Sequence, residues 1–479
     1  MKTGLFEKYE AVIGVEVHAE LNTASKIYCS CSTAFGAEPN TQICPICMGL
    51  PGSLPSLNKR VVEFAIKAGL ATSCMVSCHS YMARKHYFYP DLPKGFQLSQ
   101  GSMPLCHDGY LDITVGENTS RIGIERIHIE EDAGKLFHVG NDTLIDYNRS
   151  GVPLIEVVSR PDMHSGEEAK GFLTALREIL LCIGISDCKM NEGSLRCDVN
   201  ISVKEKGTDV LGAKIELKNL NSFAFAAKAI DYEFERQAGM LERGEIIVPQ
   251  TRRFDEKNGT TVLLRNKESY ADYRYLEDPN IPALYVSEND VARIAATLPE
   301  LPANKRKKYT EKYGISANDA CLIASNPAVS KFFESAAEKT AFTKIAANIL
   351  LTDILSFCSF DDFAAPISAD ALAELASLLG EKLINSSTAK KILRLLTDKT
   401  YQNDSPRKLA EELDLFQIND ENILRELIRG TKENFPKIFD DYKNGKTVAK
   451  KAIVGNIMAQ TSGKANPEVL EKLLEESLL

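Results

Sequence analysis

"GVEVHAEL", residues 14–21, sets two carboxylates and an imidazole at alternate positions. Successive side chains of a strand point to opposite faces, so Val15, Val17 and Ala19 share one face and Glu16, His18 and Glu20 share the other. Oxygen ligands with one imidazole suit Mg²⁺ or Mn²⁺ better than zinc. Taken alone, a solvated strand face explains these residues as well, and Glu20, last in its strand, fits a water-facing position. Other strands change the balance. In "IHIEEDAGK" the acids Glu130, Glu131 and Asp132 end an apolar strand, and in "PLIEVVS" Glu156 sits inside an apolar run. A buried carboxylate needs a partner or a cation. In "SLRCDVNISV" Leu195, Cys197, Val199 and Ile201 fill one face while Arg196, Asp198, Asn200 and Ser202 fill the other. Several strands thus offer polar faces to one site.

A second constellation is made of sulfur. Cys29-x-Cys31, twelve residues and Cys44-x-x-Cys47 supply four thiolates in two close pairs. That set suits a tetrahedral zinc ion stapling a loop, with free thiols as the alternative. Four sulfur ligands leave no open coordination position, so such a zinc is structural and catalysis lies elsewhere. The other eight cysteines are scattered and read as small core residues.

Two basic segments suggest phosphate. "ARKHYFYPDLPKGFQLSQ" interleaves Arg84, Lys85 and Lys94 with Tyr87, Phe88 and Tyr89, a mixture that holds phosphates and stacks bases. An ordinary exposed loop is the bland reading. From Lys443 to Lys464 there are five lysines and no acid, which suits a phosphate backbone or simply a solvated helix face. Neither GxxxxGK[ST] nor GxGxxG occurs, so a nucleotide site of either common type is excluded.

The elements that must position these residues follow from periodicity. "DITVGE", "RIGIERIHIE", "PLIEVVS", "SLRCDVNISVKE" and "AKIELKNL" read as strands. Phe172, Leu173, Leu176, Ile179, Leu180 and Ile183 recur at helical spacing, with a capping box at Ser165 and Glu168 and a stop at Gly184. A second helix spans about 223–241. Strands and helices do not alternate strictly, so α+β with a largely antiparallel sheet is expected over residues 1–292. After the proline- and lysine-rich "LPELPANKRKKY" only helical patterns follow, broken again at "TDKTYQNDSP". An all-α linking domain, 293–405, and a small helical tail domain, 406–479, are expected. Asn466 and Pro467 fit the start of the last helix.

The 479 residues exceed one ordinary core, and 44% hydrophobic with 26% charged residues is the balance of a soluble protein. The charge of −9 argues against a general nucleic-acid binder while leaving room for a local basic patch. "MKTGLFEKYEAV" is no signal peptide, and no apolar run approaches the ~20 residues of a membrane helix, so a cytoplasmic location is expected.

Several stretches carry a resemblance. "YEAVIGVEVHAEL", "RKHYFYPDLPKGFQLSQ", "RIHIEEDAGK", "DYNRSGVPLIEVVS", "EGSLRCDVNISV", "ELKNLNSF", "TRRFDE" and "DYRY" run in order over the first 280 or so residues, and "SGKANP" lies in the tail. Together they resemble the B subunit of the tRNA-dependent amidotransferase GatCAB. The resemblance implies a glutamine-synthetase-like cradle with kinase and transamidase activity. Such a ligase forms a carbon–nitrogen bond with glutamine as amido donor. It uses ATP and Mg²⁺ to phosphorylate the side-chain carboxylate of Glu-tRNA(Gln) or Asp-tRNA(Asn), and ammonia then displaces the phosphate. An amidase A subunit supplies the ammonia, and a small C subunit completes a heterotrimer. Bringing an anionic carboxylate to anionic ATP demands cations.

The resemblance also implies roles. Glu16, His18, Glu131 and Glu156 are the metal ligands, with Glu130 the close alternative, because alternation puts Glu130 on the face of His128. Lys85 holds a phosphate or the activated carboxylate, with Asp198 and Arg196 at the same site. Arg84, Lys85 and Tyr89 are expected at the nucleotide, Cys29, Cys31, Cys44 and Cys47 at structural Zn²⁺, and Lys446, Lys450, Lys451 and Lys464 on tRNA. Two segments depart from the family pattern: His86 replaces an asparagine, and "LEDPNI" replaces "FPEPDL". The rival readings are a non-catalytic tRNA-binding adaptor and a free-standing ligase for a small amino acid.

Overall fold

The computed structural model describes residues 3–266, 273–398, 400–401 and 404–476. Asp272 of "DYRY" lies outside the described residues, as do Lys399, Gln402 and Asn403 of the "TDKTYQNDSP" break. The chain divides into two compact units, Met1–Pro302 and Ala303–Leu479.

The first unit is built on a nine-stranded sheet. Its central strand is β1 (Tyr9–Glu20). Outside this sheet, β2 (Ala83–His86) pairs with β3 (Phe96–Ser99). The rest of the large sheet comes from β4 (Cys106–Val115), β5 (Asn118–Glu131), β6 (Pro153–Ser159), β7 (Leu195–Glu205), β8 (Ile215–Lys218), β9 (Gln250–Asp255) and β10 (Thr260–Asn266). The order is β10-β9-β8-β7-β1-β6-β5-β4, with Met75–Val76 at the far edge. Among these pairs only β8–β9 is parallel. The expected mixture of helices with a largely antiparallel sheet is what forms.

One face of the sheet is covered by helices. They are α1 (Lys59–Ala71), α2 (Gly166–Cys182) and α3 (Phe223–Glu242), packed on β5, β4 and β7 respectively. Strand β1 alternates without exception between buried and half-buried residues, its apolar set joining the core under these helices. Phe172, Leu173, Leu176 and Leu180 of α2 are fully buried there, each contributing about 1.5–3 kcal/mol by removal from water. Ser165 caps α2 by accepting from the Glu168 N–H at 3.1 Å. The reciprocal half of the expected capping box is displaced by one residue, because the Glu168 carboxylate takes the N–H of His164 at 2.6 Å. At the other end Gly184, at φ +71°, donates to Leu181 and Ile185 donates to Leu180, which closes the helix as expected.

The described part of the second unit is helical. One hydrophobic cluster joins residues from Tyr309 to Ala410, and another joins residues from Leu424 to Leu474. Its last helices are α4 (Thr447–Gln460) and α5 (Pro467–Glu476). Asn466 caps α5 through the N–H of Glu468 at 3.0 Å. No helix among the described residues is long and apolar enough to cross a membrane.

Candidate functional site

Register turns the polar face of the sheet into rows of functional groups. Side chains of directly paired residues lie on the same face. Arg196, His18, Glu156 and His128 are paired in succession across β7, β1, β6 and β5. In the next row Asp198 pairs with Glu16 and Glu16 with Val158. Beyond His18 on the other side, Glu20 and Glu130 both pair with Leu154. Because the opposite face of each strand is core, none of these groups can turn away without breaking the pleat. All but Glu20 and Val158 line one large cavity of about 1740 Å³, to which β2 adds Lys85.

Three donors converge at its centre. His18 Nε2 lies 3.1 Å from Glu130 Oε1 and 3.6 Å from Glu156 Oε2. His128 Nε2 lies 2.9 Å from the same Glu156 oxygen. The ligand atoms of His18, Glu130 and Glu156 all fall within 4.8 Å of one another, as a single metal ion requires. Burial disfavours charge on both imidazoles, but the two carboxylates more than offset it and lift His18 to about 10 and His128 to about 9. Burial would also raise Glu130, yet His18 and His128 pull it down to about 2. Protonated imidazole thus supplies the positive charge that two adjacent buried carboxylates need. The Nδ1 of His128 is buried without a hydrogen-bond partner.

Around this trio the expected residues divide. Lys85 faces the cavity, its ammonium 5.0 Å from the ring centre of Tyr273. Burial opposes its charge, and Glu130 together with Tyr275, Glu156 and Tyr273 outweighs that and raises its pKa. Glu16 accepts from Asn200 at 2.8 Å, beside the trio and outside it. Asp198 is bonded to Lys218 at 2.5 Å, and Arg196 to Asp132. Glu20 is half-buried, with burial and then the Asp132 carboxylate pushing its pKa up to about 8.

Three expected residues are not brought to the cavity. Alternation turns Glu131 to the opposite face of β5, where it meets Lys94 at 2.5 Å and the N–H of Leu98 at 2.9 Å. The carboxylate of this stretch that joins the trio is Glu130, on the face where alternation puts it. Arg84 neighbours Lys85 in β2 and so points the other way, to Asp278 at 2.6 Å and over Phe96. Glu131 and Arg84 line a separate cavity of about 160 Å³. Tyr89 is solvent-exposed, and the aromatics that line the large cavity are Tyr81, Tyr87, Tyr273 and Tyr275. The sequence reading missed the polar face of "KIELK", although the same alternation sets Lys214, Glu216 and Lys218 toward the cavity.

The four cysteines gather as their spacing implies. Their sulfurs lie within 4.8 Å of one another, a set compatible with a structural zinc ion. Hydrogen bonding from Cys29, the Cys44 N–H and the charge of Lys26 hold Cys47 down to about 4 despite burial, so one thiolate stands ready. In the tail, Lys446 pairs with Asp441, Lys450 with Glu471 and Glu475, and Lys464 with Asp414, while Lys451 is exposed. Exposed pairs of this kind are worth little and exchange readily for phosphate.

Comparison with known proteins covers nearly the whole chain. Residues 11–292 match the family described as the GatB/GatE catalytic domain, and residues 331–478 match the GatB domain. The B subunit of the aspartyl/glutamyl-tRNA(Asn/Gln) amidotransferase of Caldanaerobacter subterraneus subsp. tengcongensis is 49% identical over 475 residues, covering 98% of this chain and 99% of the relative. The protein of the same name from Clostridium botulinum strain Okra is 46% identical over 473 residues, covering 98% of each chain. That of Caldicellulosiruptor saccharolyticus is 46% identical over 480 residues, covering 98% and 99%.

Proposed function

The chain belongs to the GatB family of aspartyl/glutamyl-tRNA(Asn/Gln) amidotransferase B subunits, and we propose that its first unit is the kinase and transamidase centre of that enzyme. The substrate is Glu-tRNA(Gln) or Asp-tRNA(Asn). Its side-chain carboxylate is phosphorylated by ATP and then amidated by ammonia from a partner amidase, with a small C subunit completing a cytoplasmic complex. The observation that carries this reading is the His18–Glu130–Glu156 trio beside Lys85 in one large cavity.

The donor set fits Mg²⁺: two carboxylates and one imidazole lie within one ion's reach, and the ion would take the place of the imidazole proton. His18, Glu130 and Glu156 would hold the ion, with Glu16 beside them, and when bound it supplies charge neutralisation for the phosphates. His128 positions Glu156 by the 2.9 Å contact between them. Lys85 is kept charged by Glu130 and holds the substrate carboxylate. In the second step a C–N bond forms, the C–O bond to phosphate breaks, and inorganic phosphate leaves.

Zn²⁺ in the four-cysteine knuckle is structural, since it leaves no open position for substrate. The cradle is read as glutamine-synthetase-like. The separate hydrophobic clusters of the second unit support a linking domain that runs to about residue 416, past the expected 405, and a tRNA-gripping tail after it. The adaptor reading is not favoured, since the cavity collects a full set of phosphoryl-transfer groups.

The test is ammonia-driven amidation by the reconstituted three-subunit complex with ATP, Mg²⁺ and charged tRNA. His18→Ala is expected to bind tRNA normally and to lose at least about a hundredfold in amide formation, as for loss of a metal ligand's support. Normal amidation by His18→Ala would return the trio to ordinary strand surface.

A further inference from the structure

Lys85 and the carboxylate trio belong to different sheets. Lys85 lies in β2, which pairs with β3 in a small sheet, while His18, Glu130 and Glu156 lie in the large one. The join between the two sheets therefore sets how the lysine faces the trio. Strand β4 is laddered to β5 only as far as Ile127, opposite Cys106. Beyond that point, among the described residues, no strand is laddered to this edge of β5, although Glu130 lies there. Buried backbone groups need partners, and two glutamines supply them. Gln100 Oε1 accepts the N–H of Ile129 at 2.9 Å, and Gln97 Nε2 donates to the carbonyl of Glu131 at 2.9 Å. The backbone is thus held one residue before Glu130 and one residue after it. Both glutamines are buried, and both line the large cavity. Gln100 is fixed in turn, since its Nε2 donates to the Ser80 hydroxyl at 2.5 Å and its Oε1 also takes the N–H of Leu105 at 3.3 Å. Gln97 pairs directly with Lys85 across β2 and β3, so the two share a face.

A seam of side-chain amides differs from a strand ladder. Each amide can be removed by one substitution while the backbone of both strands stays the same. Burying two primary amides costs free energy unless their bonds are made, so this seam is tight only in one register. Resting on the metal reading of the trio above, we propose that Gln97 and Gln100 are positioning residues of the centre. By bonding the backbone on both sides of Glu130, they aim its carboxylate at His18 and Glu156. By joining β3 to β5, they hold Lys85 at a set distance from all three. Without them the end of β5 frays as unsupported segments do, and Glu130 must be ordered each time a cation binds. Support of this kind is worth about ten- to a hundredfold in metal affinity. A shift of about 1 Å between Lys85 and the trio costs on the order of a hundredfold in rate.

Gln100→Met and Gln97→Met keep the length of each side chain and delete its hydrogen bonds. Mn²⁺ binding to the full chain is followed by electron paramagnetic resonance, and backbone hydrogen exchange by mass spectrometry. Mg²⁺ is varied in ammonium-driven amidation by the three-subunit complex. Each variant is expected to bind Mn²⁺ about tenfold or more weakly. Exchange over residues 127–131 should rise by about tenfold or more, with residues 199–203 of β7 unchanged. At saturating Mg²⁺ the kcat should stay at least about tenfold low, because metal does not return Lys85 to its place. Where Gln100→Met does not fold, Gln97→Met decides, since the Gln97 side chain makes one bond among the described residues. Mn²⁺ affinity within about twofold of wild type in the folded variants, whatever the exchange, would overturn the proposal and leave the glutamines as a seal on the edge of β5. Equal Mn²⁺ binding by wild type and His18→Ala would sink the metal reading itself, and this proposal with it.

Discussion

Glu20 shows how one carboxyl on the polar face links the site to stability. Its pKa is pushed up to about 8 by burial and by the Asp132 carboxylate, against about 4.3 in an unfolded chain. Between those values the folded state holds a proton that the unfolded state has lost, so stability falls as pH rises from about 4.3 toward 8. Glu20→Gln removes that loss. Relative to wild type, the variant should gain about 1.4 kcal/mol or more at pH 8.5 compared with pH 5, the equivalent of one pKa unit. Urea titrations at the two pH values measure it, and parallel losses in both proteins would show Glu20 to be solvated. The residues whose face the sequence indicated are those governed by alternation. His18, Glu130 and Glu156 share a face because each lies at an even step along its strand. Arg84 and Glu131 went astray where charge and resemblance outweighed that same rule. Lys218 was overlooked because its partner Asp198 lies on another strand, a relation that no local pattern in "KIELK" contains.

At the scale of elements, the cysteine loop is tied to more than its own sulfurs. Asn40 accepts from the N–H of Tyr147 at 2.8 Å and donates to Ile145 at 2.9 Å. Lys26, fully buried, donates to the carbonyl of Tyr147 at 3.2 Å and lies 3.8 Å from Cys47 Sγ. The loop thereby clamps the base of a two-stranded ribbon, Lys135–Val139 with Asp142–Asp146, that lies outside the large sheet. Isolated ribbons of two strands are marginal by themselves. Removing zinc with a strong chelator should raise hydrogen exchange over residues 38–48 and 135–147 together, by about tenfold or more, with the amides of β1 unchanged. Unaltered exchange in both segments would mean that the thiols hold the loop without metal. The elements themselves were legible: β6 spans Pro153–Ser159 and α3 spans Phe223–Glu242, close to their periodic signals. What periodicity could not supply was the tertiary pairing of strands far apart in sequence.

For the whole molecule, two compact units with their own cores predict separable tasks. A fragment ending at Pro302 is expected to fold, melt cooperatively and bind ADP within about threefold of the full chain, while losing at least about tenfold in tRNA affinity. Calorimetry and gel shift decide this, and full tRNA affinity in the fragment would remove the binding role from the second unit. Within the first unit the centre is made from the chain's earliest strand. Strand β1 pairs on one side with residues 154–158 and on the other with residues 195–205. On the ribosome it emerges before either of the strands it pairs with. At about 5–20 residues per second, it waits on the order of ten to forty seconds before both hydrogen-bonding edges can be filled. Birth, more than heat or acid, is the exposed moment of this protein, and slow codons or scarce chaperone before residue 205 would reach the active centre sooner than most substitutions far from it.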